Sequence, residues 1–181
     1  MVGTKVLVKY ELETKPLIVK QGDKLKGKVI ITNGEKKDKK LKSVFIEMYD
    51  IYQEFITRTD AEGNETSSWT PMKKELKQWD LVKKGGDKIK SGDTLEFPFE
   101  IELPNWQRKK GKGKEDDQYN NWHLELHFNQ KTSMVASRGA DKKQATCILP
   151  VKGTRLHPDF GDPKEHKKQK KAEKKAAQGT Q

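Results

Sequence analysis

Residues 94–104 read TLEFPFEIELP, and this stretch decides the fold of the chain. Apolar residues alternate with glutamates or a proline, and the apolar positions are Leu95, Phe97, Phe99, Ile101 and Leu103. A period of two predicts a β-strand with one face in a core and the other in water. Because Pro98 has no backbone N–H, we expect the strand to lie at a sheet edge or to be bulged there.

The same alternation recurs along the chain, at 4–13, 25–31, 121–129 and 145–151. Residues 41–57 fit either a helix or a long strand whose phase shifts near residues 49–50, and their β-branched and aromatic content favours the strand. Residues 61–71 are polar and predict a hairpin loop, and residues 73–83 predict one or two strands. About nine strand segments separated by turn signals, with no confident helix, predict an antiparallel β-sandwich.

Composition limits the architecture and the compartment. Hydrophobic residues make up 31% of the 181 residues, and charged residues make up 36%, against a usual value of about 25%. Such a chain can build only a thin core, as in two packed layers. The single cysteine allows no internal disulfide and favours the cytoplasm. No apolar run approaches the ~18 residues of a membrane span, and residues 6–8 are too short for the apolar core of a signal peptide.

Residues 97–104, FPFEIELP, resemble the strand that marks arrestin-like proteins. The Gly22-Asp23 turn followed by Leu25, Gly27 and Val29 is similar to the opening of those domains. The group includes arrestins, the arrestin-shaped retromer subunit and bacterial sporulation-control proteins. The resemblance spans residues 4–153 and matches one arrestin lobe. It implies an immunoglobulin-like sandwich over residues 1–153 and the binding of membrane-protein tails in trafficking or regulation. A cleft between two lobes would require a homodimer.

The chain carries a formal net charge of +11, but only four of its 38 basic residues are arginines. Nucleic-acid readers usually rely on arginine forks, whereas a surface rich in lysine and glutamate favours solubility or a thermophilic origin. Lysine runs at 36–42, 108–114 and 164–175 predict solvated segments. Weak contact with anionic membranes or nucleic acid is the alternative. Residues 154–181 are predicted to be a basic, low-complexity tail that is either disordered or a solvated helix. Its lysines include Lys167, Lys168, Lys170, Lys171, Lys174 and Lys175.

The sequence contains one cluster of metal-ligand types, His123, Glu125 and His127. On a strand these three share a face, but polar side chains on a water-facing strand are the simpler interpretation, so we predict no metal. Cys147 alternates with Ala145 and Leu149 and is predicted to be a small core residue. No nucleophile or phosphate-loop motif is present, and we predict neither an enzyme nor a cofactor.

Tryptophans beside lysines indicate where a partner could bind. Trp122 should face the core, whereas Trp69 and Trp106 are expected at exposed loop positions. The predicted partner-binding residues are Trp69, Trp106, Arg108, Lys109 and Lys110. The sequence therefore predicts a non-enzymatic adaptor or scaffold that binds an unidentified protein partner through sheet edges and loops. A basic protein associated with nucleic acid is the alternative.

Overall fold

A computed structural model describes residues 6–82, 87–109, 118–132 and 145–152. These residues contain nine strands and no helix. The strands are β1 (Val6–Leu12), β2 (Lys24–Asn33), β3 (Lys39–Lys40), β4 (Ser43–Thr59), β5 (Glu65–Val82), β6 (Lys88–Ile89), β7 (Thr94–Glu102), β8 (Tyr119–Lys131) and β9 (Ala145–Leu149).

The strands form two main antiparallel sheets. A three-stranded sheet has the order β1-β2-β7, and a four-stranded sheet has the order β5-β4-β8-β9. The short strands β3 and β6 pair with each other. The two main sheets enclose one core, whose largest fully buried side chains include Leu25, Ile31, Ile46, Met48, Ile101, Leu126 and Phe128. The predicted all-β sandwich is confirmed.

The stretch at 94–104 behaves as its alternation predicts. Phe99, Ile101 and Leu103 are buried in the core, and the two apolar residues before them pack against it. Strand β7 lies at the edge of its sheet, with Pro98 opposite Lys28 of the central strand β2. An edge position tolerates the missing N–H of proline, since only one side of the strand must pair.

Two segments differ from the prediction. The expected hairpin loop at 61–71 is wrong, because β5 already begins at Glu65 and the turn is confined to residues 60–64. Asp60 closes this turn by accepting hydrogen bonds from the backbone N–H groups of Glu62 and Asn64. The lysine-rich stretch at 36–42, expected to be a solvated loop, contributes β3.

The ambiguous segment at 41–57 is a strand, β4, as its composition favours. Its pairing with β5 shifts register between Met48 and Tyr49, close to the predicted change of phase. Cys147 is fully buried, and Trp122 packs against the core from a half-buried position, in agreement with their predicted orientation.

Asn33 and Gly27 are the two places where β2 admits a single residue type. The fully buried Asn33 side chain donates to the carbonyls of Lys37, Ile89 and Lys90, and so connects β2 to the β3–β6 pair. At Gly27, a Cβ atom would collide with the Glu11 carbonyl oxygen and lie 2.9 Å from the ring of Phe99. Strand β1 therefore approaches β2 closely at Gly27, which has no side chain to keep it away.

Lysines of β2 alternate with its core residues and form ion pairs on the outer face of the three-stranded sheet. Lys26 lies 2.9 Å from Glu100, and Lys28 lies 2.9 Å from Glu96 and 3.2 Å from Glu11. These pairs are exposed, so each contributes little to stability. Their consequence is that part of the basic charge is already neutralised by glutamates of neighbouring strands.

Candidate functional site

The β4–β5 hairpin is longer than the sheet to which it belongs. Strand β8 pairs with β4 only as far as Glu54, opposite Tyr119. Beyond that point, residues 55–59 and 65–69 pair with each other, apart from the Phe55 N–H, which donates to the Gln118 carbonyl. We call residues 55–69 the arm. At about 3.3 Å per residue, each strand of the arm extends roughly 15 Å past the last pairing with β8.

An aromatic pair lies on the arm. Phe55 and Trp69 are register partners, and their ring centroids are 5.2 Å apart with planes tilted by 58°. Both side chains are exposed, Phe55 by 45% and Trp69 by 39%. A tilted aromatic pair outside the core leaves a large apolar surface available for contact at a low entropy cost.

The arm is held in shape at both ends. At its tip, Asp60 accepts three hydrogen bonds from Glu62 and Asn64, and these hold the pKa of its carboxyl below the usual range. At its base, the backbone N–H of Phe55 donates to the Gln118 carbonyl at 2.9 Å, and Gln118 Nε2 donates to Glu54 at 3.1 Å. The aromatic pair is therefore presented on an ordered ribbon.

Strand β5 forms an edge of the four-stranded sheet and continues from the arm along its side. Its exposed lysines are Lys73, Lys74 and Lys77. Within the described ranges none of the three makes an ion pair with a carboxylate, although two lie over aromatic rings: Lys73 over Tyr49 at 3.8 Å and Lys77 over Trp79 at 5.3 Å. Lys73 lies on the same face of β5 as Trp69, whereas Lys74 and Lys77, opposite Asp50 and Met48, lie on the other face.

The His123-Glu125-His127 cluster lies next to the arm, on the face of the four-stranded sheet that points away from the core. Its neighbours Leu124, Leu126 and Phe128 face inward, so these three side chains face the other way. Glu125 bridges both rings, 2.9 Å from Nε2 of His123 and 2.6 Å from Nε2 of His127. The hydrogen bonds from His123 and then His127 hold the pKa of Glu125 well below its usual range.

The prediction that this face is simply solvated is wrong at His127, which is only 3% exposed. The rings of Tyr49 and His127 lie 4.7 Å apart, and the Lys73 ammonium reaches Nδ1 of His127 at 3.4 Å. Burial and the nearby Glu47 carboxylate raise the pKa of Tyr49 to about 12. Among the described residues, no group of three or more His, Cys, Asp or Glu is arranged to hold a metal ion.

The inner face at the base of the arm carries a second polar group. Asp50 is buried, and burial raises its pKa although the Trp122 indole N–H donates to it at 2.7 Å. The Lys109 ammonium lies 5.0 Å from the Tyr52 ring and 5.4 Å from the Tyr119 ring. Lys109, Tyr52 and Tyr119 thus lie together at this end of the sandwich.

The predicted partner residues are distributed unevenly. Trp69 is exposed, but it lies on a strand rather than in the loop we expected. Trp106 is half-buried against the core, and its carbonyl accepts a bond from Gln21, so its predicted exposure is wrong. Arg108 is exposed and Lys109 is half-buried. Lys110 and the tail lysines lie outside the described residues, as does the proposed domain boundary at 153.

Sequence reasoning missed Phe55 and Lys73 as members of this surface. Phe55 lies at an apolar position of the β4 pattern and gives no local sign that its partner strand leaves it exposed. A weak signal was present in Trp69 and Thr70, since tryptophan and threonine are enriched in strands.

A second surface lies beside β1. A groove of about 540 Å³ is lined by residues 8–12, Lys15 and Ala145. The Tyr10 hydroxyl donates to the Thr146 carbonyl at 3.4 Å, which joins β1 to β9 across the two sheets. The groove contains both lysines and a glutamate, so its charge does not favour one class of ligand.

Comparison of this architecture with solved structures identifies its fold. The crystal structure of Spo0M, a sporulation control protein from Bacillus subtilis, aligns with a TM-score of 0.55 and 16% sequence identity. The chain has the arrestin-like fold. The alignment covers 86% of this chain and 51% of the Spo0M chain, so the chain spans about half of that protein's length. No protein-family model and no curated protein sequence matches the chain.

No helix in the described ranges has the length and apolar character that a membrane span requires.

Proposed function

We propose that this chain is a non-enzymatic adaptor of the cytoplasm that binds an extended segment of a partner protein, such as the tail of a membrane protein. The observation that carries the proposal is the exposed Phe55–Trp69 pair on the arm. Clustered aromatic side chains on an ordered surface are typical of the residues that dominate protein–protein binding. The likeness to an arrestin-like sporulation control protein supports a regulatory role.

The partner segment would lie along β5. Exposed edge strands pair with extended peptides through backbone hydrogen bonds, while side-chain contacts supply specificity. Pro71 limits this pairing, since it offers no N–H at its position in the edge. Apolar side chains of the partner would contact the aromatic pair, and an acidic one would meet Lys73, which lies on the same face of β5 as Trp69.

Affinity capture from native lysate, read by mass spectrometry, tests the proposal. The bait is the full chain, compared with the double variant Phe55→Ala, Trp69→Ala. Because aromatic residues at binding centres typically contribute more than about 1.4 kcal/mol each, the double variant should capture the partner at least about tenfold less efficiently. Leu7→Ala is the matched control, because Leu7 is 52% exposed and lies on the other sheet.

The result that refutes the proposal is a set of captured proteins that the arm variant leaves unchanged. Treating the lysate with nuclease distinguishes the adaptor from the alternative, a protein associated with nucleic acid. If capture depends on nucleic acid and falls steeply with salt, the chain is a basic protein associated with nucleic acid.

A further inference from the structure

Hydrogen bonds on the outer face of the four-stranded sheet favour one protonation state of His123, at the base of the arm. His123 contacts an acceptor through each ring nitrogen. Nδ1 lies 3.0 Å from the Asn121 carbonyl oxygen, and Nε2 lies 2.9 Å from Oε1 of Glu125. A carbonyl oxygen only accepts, so Nδ1 carries a hydrogen. One proton must also lie between Nε2 and the Glu125 carboxyl.

That proton belongs to His123 rather than to Glu125. The second oxygen of Glu125 accepts a hydrogen bond from His127 at 2.6 Å, which favours the carboxylate. An imidazole is also the stronger base of the two in water. His123 is therefore an imidazolium that donates from both nitrogens.

His127 lies between Glu125 and Lys73. Its Nδ1 is 3.4 Å from the Lys73 ammonium, and its Nε2 is 2.6 Å from Oε2 of Glu125. The ring itself is almost fully buried.

We infer that His123 is a proton-operated latch: its imidazolium ties the end of β8 to Glu125, and loss of its proton loosens the base of the arm. Neutral His123 has one N–H for two acceptors. Either the Asn121 carbonyl or the Glu125 carboxylate must then face a ring lone pair at about 3 Å, which is repulsive.

The contacts run from the latch to the arm in two steps. Asn121 has a positive φ of 50°, which is uncommon for a residue with a side chain, and it lies where the β4–β8 register shifts between Ile51 and Gln53. Its Nδ2 donates to the Gln53 side chain at 2.9 Å. Gln53 lies two residues before Phe55, so a change at Asn121 reaches the strand that carries the aromatic pair.

The groups around His123 favour the charged form of its ring. Ile51 lies directly opposite on β4 and is apolar. The charged and titratable groups that surround the cluster are Glu125 and His127 on β8, Tyr49 and Asp50 on β4, Lys73 on β5, and Lys109 near Asp50. The hydrogen bond to Glu125, opposed by burial and aided by Asn121 and Asp50, raises the pKa of His123 above 6.5.

The latch extends the proposed function, because it would make presentation of the aromatic pair depend on pH. Its test needs no partner. Heteronuclear NMR of the full chain between about pH 5 and about pH 9 follows the His123 ring and the backbone amides of residues 53–55 and 118–122. The His123 signals are assigned by through-bond experiments on the wild type, and their absence in His123→Gln checks the assignment.

We expect the His123 ring to titrate with a midpoint above 6.5 and the amides of both segments to shift with the same midpoint. The shift of the amides should be absent in His123→Gln, while Leu7→Ala, on the other sheet, should titrate like the wild type. Two results would overturn the inference: a His123 midpoint at or below pH 6.5, or amide signals of residues 53–55 and 118–122 that do not shift with pH. The wild-type titration decides this even if the variant fails to fold, and it leaves the identity of the partner untouched.

Discussion

Replacing Gly27 with alanine should destabilise the sandwich more than its small size suggests. Gly27 lies in the middle of β2, between the two other strands of its sheet. A Cβ there would collide with the Glu11 carbonyl oxygen and lie 2.9 Å from Cζ of Phe99. The ring of Phe99 can move away by a few tenths of an ångström through a small side-chain rotation. The Glu11 oxygen belongs to the backbone of β1, and it moves only if that strand moves.

The size of the destabilisation by Gly27→Ala depends on which atoms must move to make room for the new Cβ. Forcing one extra carbon into a packed interior typically costs about 1–3 kcal/mol, and a backbone obstacle places this site at the upper end. The lower flexibility of alanine in the unfolded chain returns only about 0.4–1 kcal/mol. We therefore expect a net loss of about 2 kcal/mol in the free energy of unfolding, or roughly 6 °C in Tm for a domain of this size.

Thermal unfolding followed by circular dichroism measures this loss. Lys26→Ala is the matched control, because Lys26 neighbours Gly27 on the same strand but is exposed, and its ion pair with Glu100 is screened by water. We expect the control to change the free energy of unfolding by less than about 0.5 kcal/mol. If both variants melt within a degree of the wild type, β1 does not pack on the bare backbone as described.

Three further predictions concern side chains that hold loops and strand ends. Asn33→Ala should lower the free energy of unfolding in urea by about 2–3 kcal/mol, because it leaves the buried carbonyl of Ile89 without its donor; an unchanged midpoint would contradict this role. Asp60→Ala should increase amide hydrogen exchange at the arm tip while leaving the core protected, and equal exchange in both proteins would show that the turn does not need the carboxylate. Stability should also vary with pH in two directions. The contribution of Glu125, whose pKa is lowered, is present above about pH 4.5 and is lost as pH falls, whereas that of His123, whose pKa is raised, is full below pH 6.5 and is lost as pH rises through its folded value. Urea titrations should show the advantage of wild type over His123→Gln shrinking above pH 6.5, and an advantage that is constant with pH would exclude this linkage.

The fold could be predicted because its core residues follow a local rule. In β7 and β8, side chains at every second position enter the core, and this period is visible in the sequence without knowledge of any partner strand. Pro98 even indicated an edge position, since proline leaves few other options in a sheet.

The arm could not be predicted in the same way. Residues 65–69 are exposed in the structure, so they show no alternation of burial, and their serines and threonines resemble a polar loop. They form a strand because residues 55–59 offer a complementary backbone edge, and this depends on the register across a five-residue turn.

The buried state of His127 is also a product of long-range contacts. Lys73 and His127 are 54 residues apart in the chain, and Tyr49 arrives from a third strand. A polar residue at an outward position predicts exposure unless the neighbouring strands are known to cover it. Sequence patterns thus locate the face of a residue, but not what lies above that face.

The position of Cys147 makes its thiol a natural probe of how often β9 separates from β8. Its thiol is the chain's one sulfhydryl, and it is fully buried in the core on β9, the edge strand that pairs with β8. Alkylating reagents attack the exposed thiolate, so labelling must wait until β9 separates from β8. The labelling rate would therefore report the frequency of that separation in the unmodified protein, without any engineered dye or cysteine.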